Sequence, residues 1–260
     1  MIKFFRKIRQ NLLMESKTGK YFKYAIGEIA LVMIGILLAI QVNSWNQNKI
    51  NSVKEINYLK GIEADLKSQL QTMETVEKLY DSLVFSAGTI LNDFQKFKSI
   101  SKVPNLNKRI SFLMWDTSMT EVNTSFTELI STGNISLITN ENLRSRIIRF
   151  YQYSAIIEKS TSNNTEKVFY SNAFPTITNI VIINPSDFNM NVEGITKYNF
   201  SESLEIEQKR QLKNPEIQKK LINAINLKII ATTSNKNSIN SIIQFAKVLL
   251  KEIQKELSNN

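Results

Sequence analysis

The chain has 260 residues, 33 Lys and Arg against 23 Asp and Glu, a formal charge of +10, and neither cysteine nor histidine. The missing residue types exclude disulfides, Cys–His nucleophilic pairs, Ser–His triads and zinc sites built on His or Cys. The length allows one sizeable core or two small ones beside a membrane anchor.

The first 23 residues are basic, with Lys3, Arg6, Lys7, Arg9, Lys17, Lys20 and Lys23 against Glu15 alone. Phe4, Phe5, Ile8, Leu12 and Leu13 fall near one face of a helix over Met1–Leu13. That pattern predicts an interfacial helix on anionic headgroups. Much of the net charge is gathered here and the rest is dispersed, which argues for lipid and against nucleic acid as the partner.

Ala25–Val42 follows, 18 residues of which ten are Leu, Ile or Val. At 1.5 Å per residue it covers about 27 Å, close to a hydrocarbon core of roughly 30 Å. Apolar residues cover the whole circumference, unlike the single stripe of a core helix. The long lead, the length of the run and the lack of an A-x-A site argue against a cleaved signal peptide. Lys20 and Lys23 before the span and Trp45 after it suit the two interfaces. Few basic residues follow closely, so the positive-inside rule places residues 1–23 in the cytoplasm and residues 46–260 outside it, with 24–45 as the single-pass span of the inner membrane. Glu28 has two readings: a first-turn carboxylate favoured by the helix dipole and nearby lysines, or a polar contact to a partner helix. Gly35 and Ala39 make a small-xxx-small pair, with Gly27 farther along, a pattern that supports helix pairing in lipid.

From Ile50 to Phe97, Ile50, Val53, Leu59, Ile62, Leu66, Leu70, Met73, Val76, Leu83, Ala87, Ile90, Leu91, Phe94 and Phe97 recur at three- and four-residue intervals. This predicts a long helix with bundle or coiled-coil packing, interrupted or kinked at Gly61 or Gly88 and closed off by Pro104. Ser118 and Glu121 form a candidate capping box for a helix through Ile130, with Gly133 as its stop. Asn140 is a cap for a helix burying Leu143, Ile147, Phe150, Tyr151 and Ser154, with helical character persisting toward Tyr170. Arg146, Arg149 and Tyr153 share a face of it that either pairs with carboxylates in solvent or meets a headgroup or acidic ligand. Residues 171–213 hold Pro175 and Pro185; Thr176–Ile183 reads as a short strand or a buried helix, and 189–194 as loop. A ligand-facing excursion is expected there. Asn214-Pro215-Glu216 starts a helix to about Thr232. The polar run Ser234–Asn237 reads as a turn into a last helix carrying Ile239, Ile242, Ile243, Ala246, Leu249, Leu250, Ile253 and Leu257, the two forming an antiparallel hairpin against the long helix.

The segments Met1–Arg9, Lys20–Ile29, Ile34–Ile40 and Asn43–Asn46 resemble the opening of a bacterial family known only as a domain of unknown function. Leu129–Ile138, Leu143–Ile148 and Leu249–Leu257 are similar too. The resemblance implies a basic start, one membrane helix and a helical extracytoplasmic region, and it implies no activity. The expectation is therefore an all-α chain: one N-terminal transmembrane helix, then an extracytoplasmic bundle built on a long helix. The expected role is non-enzymatic sensing or docking in the cell envelope, with no cofactor, no metal and no catalytic residue. A structural subunit or scaffold of an envelope complex, paired with itself or a membrane protein, is the alternative. A hydrolase using Glu121 and Glu128 on one helix face is the third reading.

Overall fold

The computed structural model describes Arg6 and residues 18–117, 119–188 and 202–259. The described residues are helical, without a strand. Helix α1 runs Thr18–Phe97, α2 Leu106–Leu113, α3 Thr124–Ser131, α4 Glu141–Asn163, α5 Phe174–Ile180, α6 Glu202–Gln211 and α7 Pro215–Asn259. A π-helix, Asn164–Ala173, joins α4 to α5. The chain divides into two compact units, residues 1–57 and 58–260. The tail expected as an interfacial helix lies outside the described residues, apart from Arg6.

In the first unit, the apolar stretch is helical and bare. No residue of its most apolar 18-residue window is buried. Leu31 is 69 % exposed and Ile40 56 %. A core helix would be mostly buried and this one is not; among the described residues it is the one helix long and apolar enough to cross a membrane, and it lies near the N-terminus. Ile50 and Val53, expected on the packed stripe, are exposed.

In the second unit, the stripe takes over from Leu59. Leu59, Ile62, Leu66, Leu70, Met73, Val76, Leu83, Ala87 and Ile90 are buried, joined by Tyr80. Neither glycine breaks α1. A β-carbon at Gly88 would meet nothing within 4 Å, whereas one at Gly61 would stand 2.6 Å from Ser125 Oγ. Gly61 is thus a contact point, at which α3 lies close against α1. One turn on, Asp65 Oδ2 accepts from the Ser125 backbone N–H at 2.7 Å and caps α3 from another helix. The helix ends at Phe97 because Lys98 turns left-handed at φ 55°, six residues before Pro104.

Cross-helix pairs fix the order of passes. Arg109 bonds Asp93 (2.6 Å), Tyr80 donates to Thr117 O (2.6 Å), and Tyr58 meets Thr132 (3.4 Å). Residue numbers rise on one side as they fall on the other, so segment 98–132 returns antiparallel along α1. Helix α7 is also antiparallel to α1: Glu63 pairs with Gln254 (2.9 Å), Glu74 with Lys247 (2.8 Å), and Asp81 with Lys236. Helix α4 is antiparallel to α7 in turn, through Asn140 with Glu256 (2.8 Å) and Tyr153 with Ser241 (3.1 Å). The passes run up, down, up, down around one core.

Several expectations change here. Helix α3 begins at Thr124 with Asn123 as its cap residue, and Ser118 lies outside the described residues. Gly133 does follow the end of α3, at φ 70°. Asn140 caps α4 by accepting from Leu143 N at 3.1 Å. Of the two readings of Thr176–Ile183, helix holds as far as Ile180, with Ile177 and Ile180 buried. Residues 189–194 lie outside the described residues. The expected hairpin is one 45-residue helix, α7. Its polar run does not turn, because the bundle satisfies it: Asn235 is buried and accepts from Asn164 Nδ2 at 2.8 Å, and Lys236 pairs with Asp81.

Candidate functional site

Three places in the structure carry chemistry. The first is the bare apolar helix. Gly27 and Gly35 have nothing within 4 Å of the position of a β-carbon, and Ala39 and Trp45 are exposed. Lys23 is exposed, and the Lys20 side chain lies outside the described residues. Glu28 is half-buried and engaged in an interaction. Gly27, Gly35 and Ala39 therefore sit on an uncovered surface, as a helix-pairing face requires.

The second is a polar centre inside the bundle. Lys228 is 1 % exposed on α7, and its Nζ donates to Asp116 Oδ2 and Trp115 O, each at 2.9 Å. Its ammonium stands 3.9 Å from the centroid of the Phe169 ring, on the π-helix. Burial pulls the Lys228 pKa down, and Asp116 opposes the shift. Nearby, burial pushes the Tyr80 hydroxyl up to about 12, with the Asp116 charge adding to the effect. The π-helix is marked by side chains that reach five residues back: Ser171 Oγ donates to Glu166 O at 2.8 Å, and Asn172 to Lys167 O. Sequence reading passed over Lys228, yet a signal existed. Leu221, Ala224, Ile225, Ala231 and Thr232 surround it on the buried stripe, so a lysine stood at a core position.

A second polar seam crosses α1 and α4. Gln69 donates to Ser154 Oγ at 3.0 Å, and Asn123 Nδ2 donates to Glu121 at 2.8 Å. Burial raises the Glu121 pKa, although Ser154 and Asn123 favour its charged form. Tyr151, stacked on Phe126 at 4.1 Å, is pushed above the usual phenol range by burial and by the charges of Asp65 and Glu121. Glu121 precedes α3 and is half-buried, while Glu128 is on α3 and exposed. The two carboxylates do not share a helix face, so the arrangement that the hydrolase reading requires is not present.

The third place is the surface of the bundle. A cleft of about 500 Å³ lies between α2 and α6, edged by Asn184 and Asp187 of the 171–213 excursion. Asn107 and Gln208 exchange amide hydrogen bonds at 2.7 and 3.2 Å in its wall. A groove of about 650 Å³ runs between the start of α4 and the end of α7. The face expected to be basic opens into it in part. Arg146 Nε lies 2.8 Å from Glu252 Oε2, off the N–H axis, as an ion pair without a hydrogen bond. Its guanidinium also stands 5.7 Å from the Phe245 centroid. Tyr153 turns to Ser241. Arg149 lines the groove.

The architecture defines a class: the described residues form a bare apolar N-terminal helix and a packed helical bundle, without a strand. The chain belongs to the family of unknown function DUF6090, whose family model matches residues 28–165, more than half of its length. The match begins inside the apolar helix and ends where α4 passes into the π-helix, so it takes in Gly35, Ala39, Asp116, Arg146 and Arg149. No curated protein and no solved structure matches the chain.

Proposed function

We propose that the protein is a non-enzymatic, single-pass anchored protein of the cytoplasmic membrane, with residues 1–23 in the cytoplasm and a helical docking or sensing domain outside it. The observation that carries the reading is the bare helix. Ten Leu, Ile and Val side chains, each more than half exposed, would leave roughly 10–20 kcal/mol of unrealised apolar transfer in water. That rivals the whole folding stability of a domain, about 5–15 kcal/mol. A lipid phase removes the penalty. The basic residues before the span support the orientation, and Trp45 after it suits an interface on either side. The non-enzymatic reading is supported by the separation of Glu121 from Glu128 and by a domain centre filled with large side chains.

The native chain lacks cysteine, which makes the orientation directly testable. In intact cells, Ser258→Cys is expected to react with a membrane-impermeant maleimide, and Lys7→Cys only after lysis. The reverse pattern would overturn the orientation. A second reading, an accessory subunit of an envelope complex or a homo-oligomer, is favoured by the open positions at Gly27, Gly35 and Ala39. Pull-down in mild detergent separates the readings: a stoichiometric membrane partner favours the subunit. Cross-linking on α1 tests self-association, and a clean monomer in membranes would remove it.

A further inference from the structure

We propose that α1 pairs in parallel with a second copy of itself through one face, formed by Gly35, Ala39, Val42, Asn46, Ile50 and Val53. The inference rests on the anchored reading and deepens its oligomeric alternative by naming the partner, its orientation and the residues that meet.

Spacing draws the face. The six residues follow one another at intervals of three and four that average one helical turn, so they share a narrow stripe of α1. All six belong to the first unit and are exposed. Val42 is 63 % exposed, Ile50 42 % and Val53 54 %. Apolar residues exposed singly are ordinary on a protein surface. Register sets these apart. Ile50 and Val53 stand past Trp45 among Gln47, Asn48, Asn51, Ser52 and Lys54, where lipid no longer accounts for an apolar side chain. They continue in phase the stripe that begins with Gly35 and Ala39 inside the apolar helix. One face is thus carried about 12 Å beyond Trp45.

The surface has the shape that a facing helix needs. A β-carbon at Gly35 would meet nothing within 4 Å, so another backbone can approach closely there. Ala39, Val42 and Asn46 line a groove of about 640 Å³ together with Leu38, Asn43 and Trp45. A side chain of a second helix enters such a groove as a knob enters a hole.

The chemistry selects a second copy. Chains inserted in one orientation pair side by side in parallel, and a two-fold axis along the pair sets each residue against its own counterpart. A charge on the axis would meet itself, and the six residues carry none. Lys49 falls on the edge of the stripe, where its long chain reaches water. Asn46 suits the axis, because an amide both donates and accepts and so bonds its own copy. A single asparagine in an apolar seam fixes register in this way. Neighbouring amides are used within the helix: Gln47 Nε2 donates to Asn51 Oδ1 at 3.1 Å, whereas the Asn46 side chain has no hydrogen-bond partner among the described residues.

The test uses the full chain in native membranes, where a chain without cysteine accepts single thiols one position at a time. Asn46→Cys and Val53→Cys stand on the face, and Ser44→Cys and Asn48→Cys on the far side of the same helix. Copper phenanthroline with air oxidises paired thiols, and two differently tagged copies are co-expressed so that each product can be assigned. Disulfide dimers carrying both tags are expected, at least about fivefold more from the face than from the far side. Gly35→Leu should lower the Val53→Cys yield by about threefold or more while the chain stays in the membrane pellet. Equal yields at all four positions mark random collision and overturn the proposal. No product, or a product joining one tagged copy to a different protein, overturns it as well. So does a Val53→Cys yield that Gly35→Leu leaves unchanged. Each of these failures leaves the anchored reading standing as long as the chain needs detergent to leave the membrane.

Discussion

Replacing Asp116 by Asn tests the polar centre of the bundle. Lys228 is almost fully buried, and among the described residues Asp116 is the one carboxylate that its ammonium contacts. In the variant, the cation keeps one carbonyl, that of Trp115, and the face of Phe169. Breaking a buried pair by removing one partner costs about 3–5 kcal/mol. For a domain of this size, each kcal/mol moves the melting temperature by roughly 2–4 °C, so a fall of about 6–20 °C is expected. The pH dependence has a definite sign. Burial holds the folded-state pKa of Lys228 below its unfolded value, so the unfolded chain binds the proton more readily. Stability of Asp116→Asn should therefore rise as pH increases toward 10 and fall as pH drops through the lowered folded pKa. The double variant Asp116→Asn with Lys228→Met removes the stranded charge and should recover most of the loss. The assay is thermal unfolding of the full chain in detergent by near-ultraviolet circular dichroism. An Asp116→Asn chain that melts within about 2 °C of wild type would refute the assignment of a buried, paired lysine.

Three further outcomes follow from the packing. Gly61→Ala places a carbon 2.6 Å from Ser125 Oγ and should destabilise, whereas Gly88→Ala meets open space and should stabilise by about 1 kcal/mol; equal melting temperatures would contradict the contact at Gly61. Glu121 has its pKa raised by burial, so its contribution is fully present below the unfolded carboxylate pKa and is lost as pH rises through the folded one; Glu121→Gln should be the more stable chain at pH 7, and the advantage should shrink near pH 4. Asp65→Ala removes the carboxylate that bonds the Ser125 N–H and should cost about 1 kcal/mol, read as a lower denaturant midpoint.

What the sequence made legible were the repeating apolar registers. Leu59–Ile90 on α1, Leu143–Ser154 on α4 and Ile239–Ile253 on α7 are buried where periodicity placed them. Local caps were legible for the same reason, because their partners lie two or three residues away: Asn140 accepts from Leu143 N, and Asn214 Oδ1 accepts from Glu216 N at 2.9 Å. Features set by distant partners were not legible. Ser234–Asn237 looks like a turn until Asn164 and Asp81 are brought to it from elsewhere in the chain. Gly61 looks like a kink until α3 arrives against it. The end of α1 depends on Lys98 adopting a left-handed conformation that few lysines adopt, which no pattern of side chains announces. On the basic face of α4, Arg146 meets a carboxylate, as the solvated reading expects, whereas Arg149 has no ion-pair partner among the described residues.

Among the described residues, none buries the apolar stretch of α1. Cells expressing the full chain should be lysed without detergent, and the membranes washed in alkaline carbonate and sedimented at high speed. The protein should stay in the pellet through the wash and leave it only with detergent. Full-length protein in the first supernatant would contradict it.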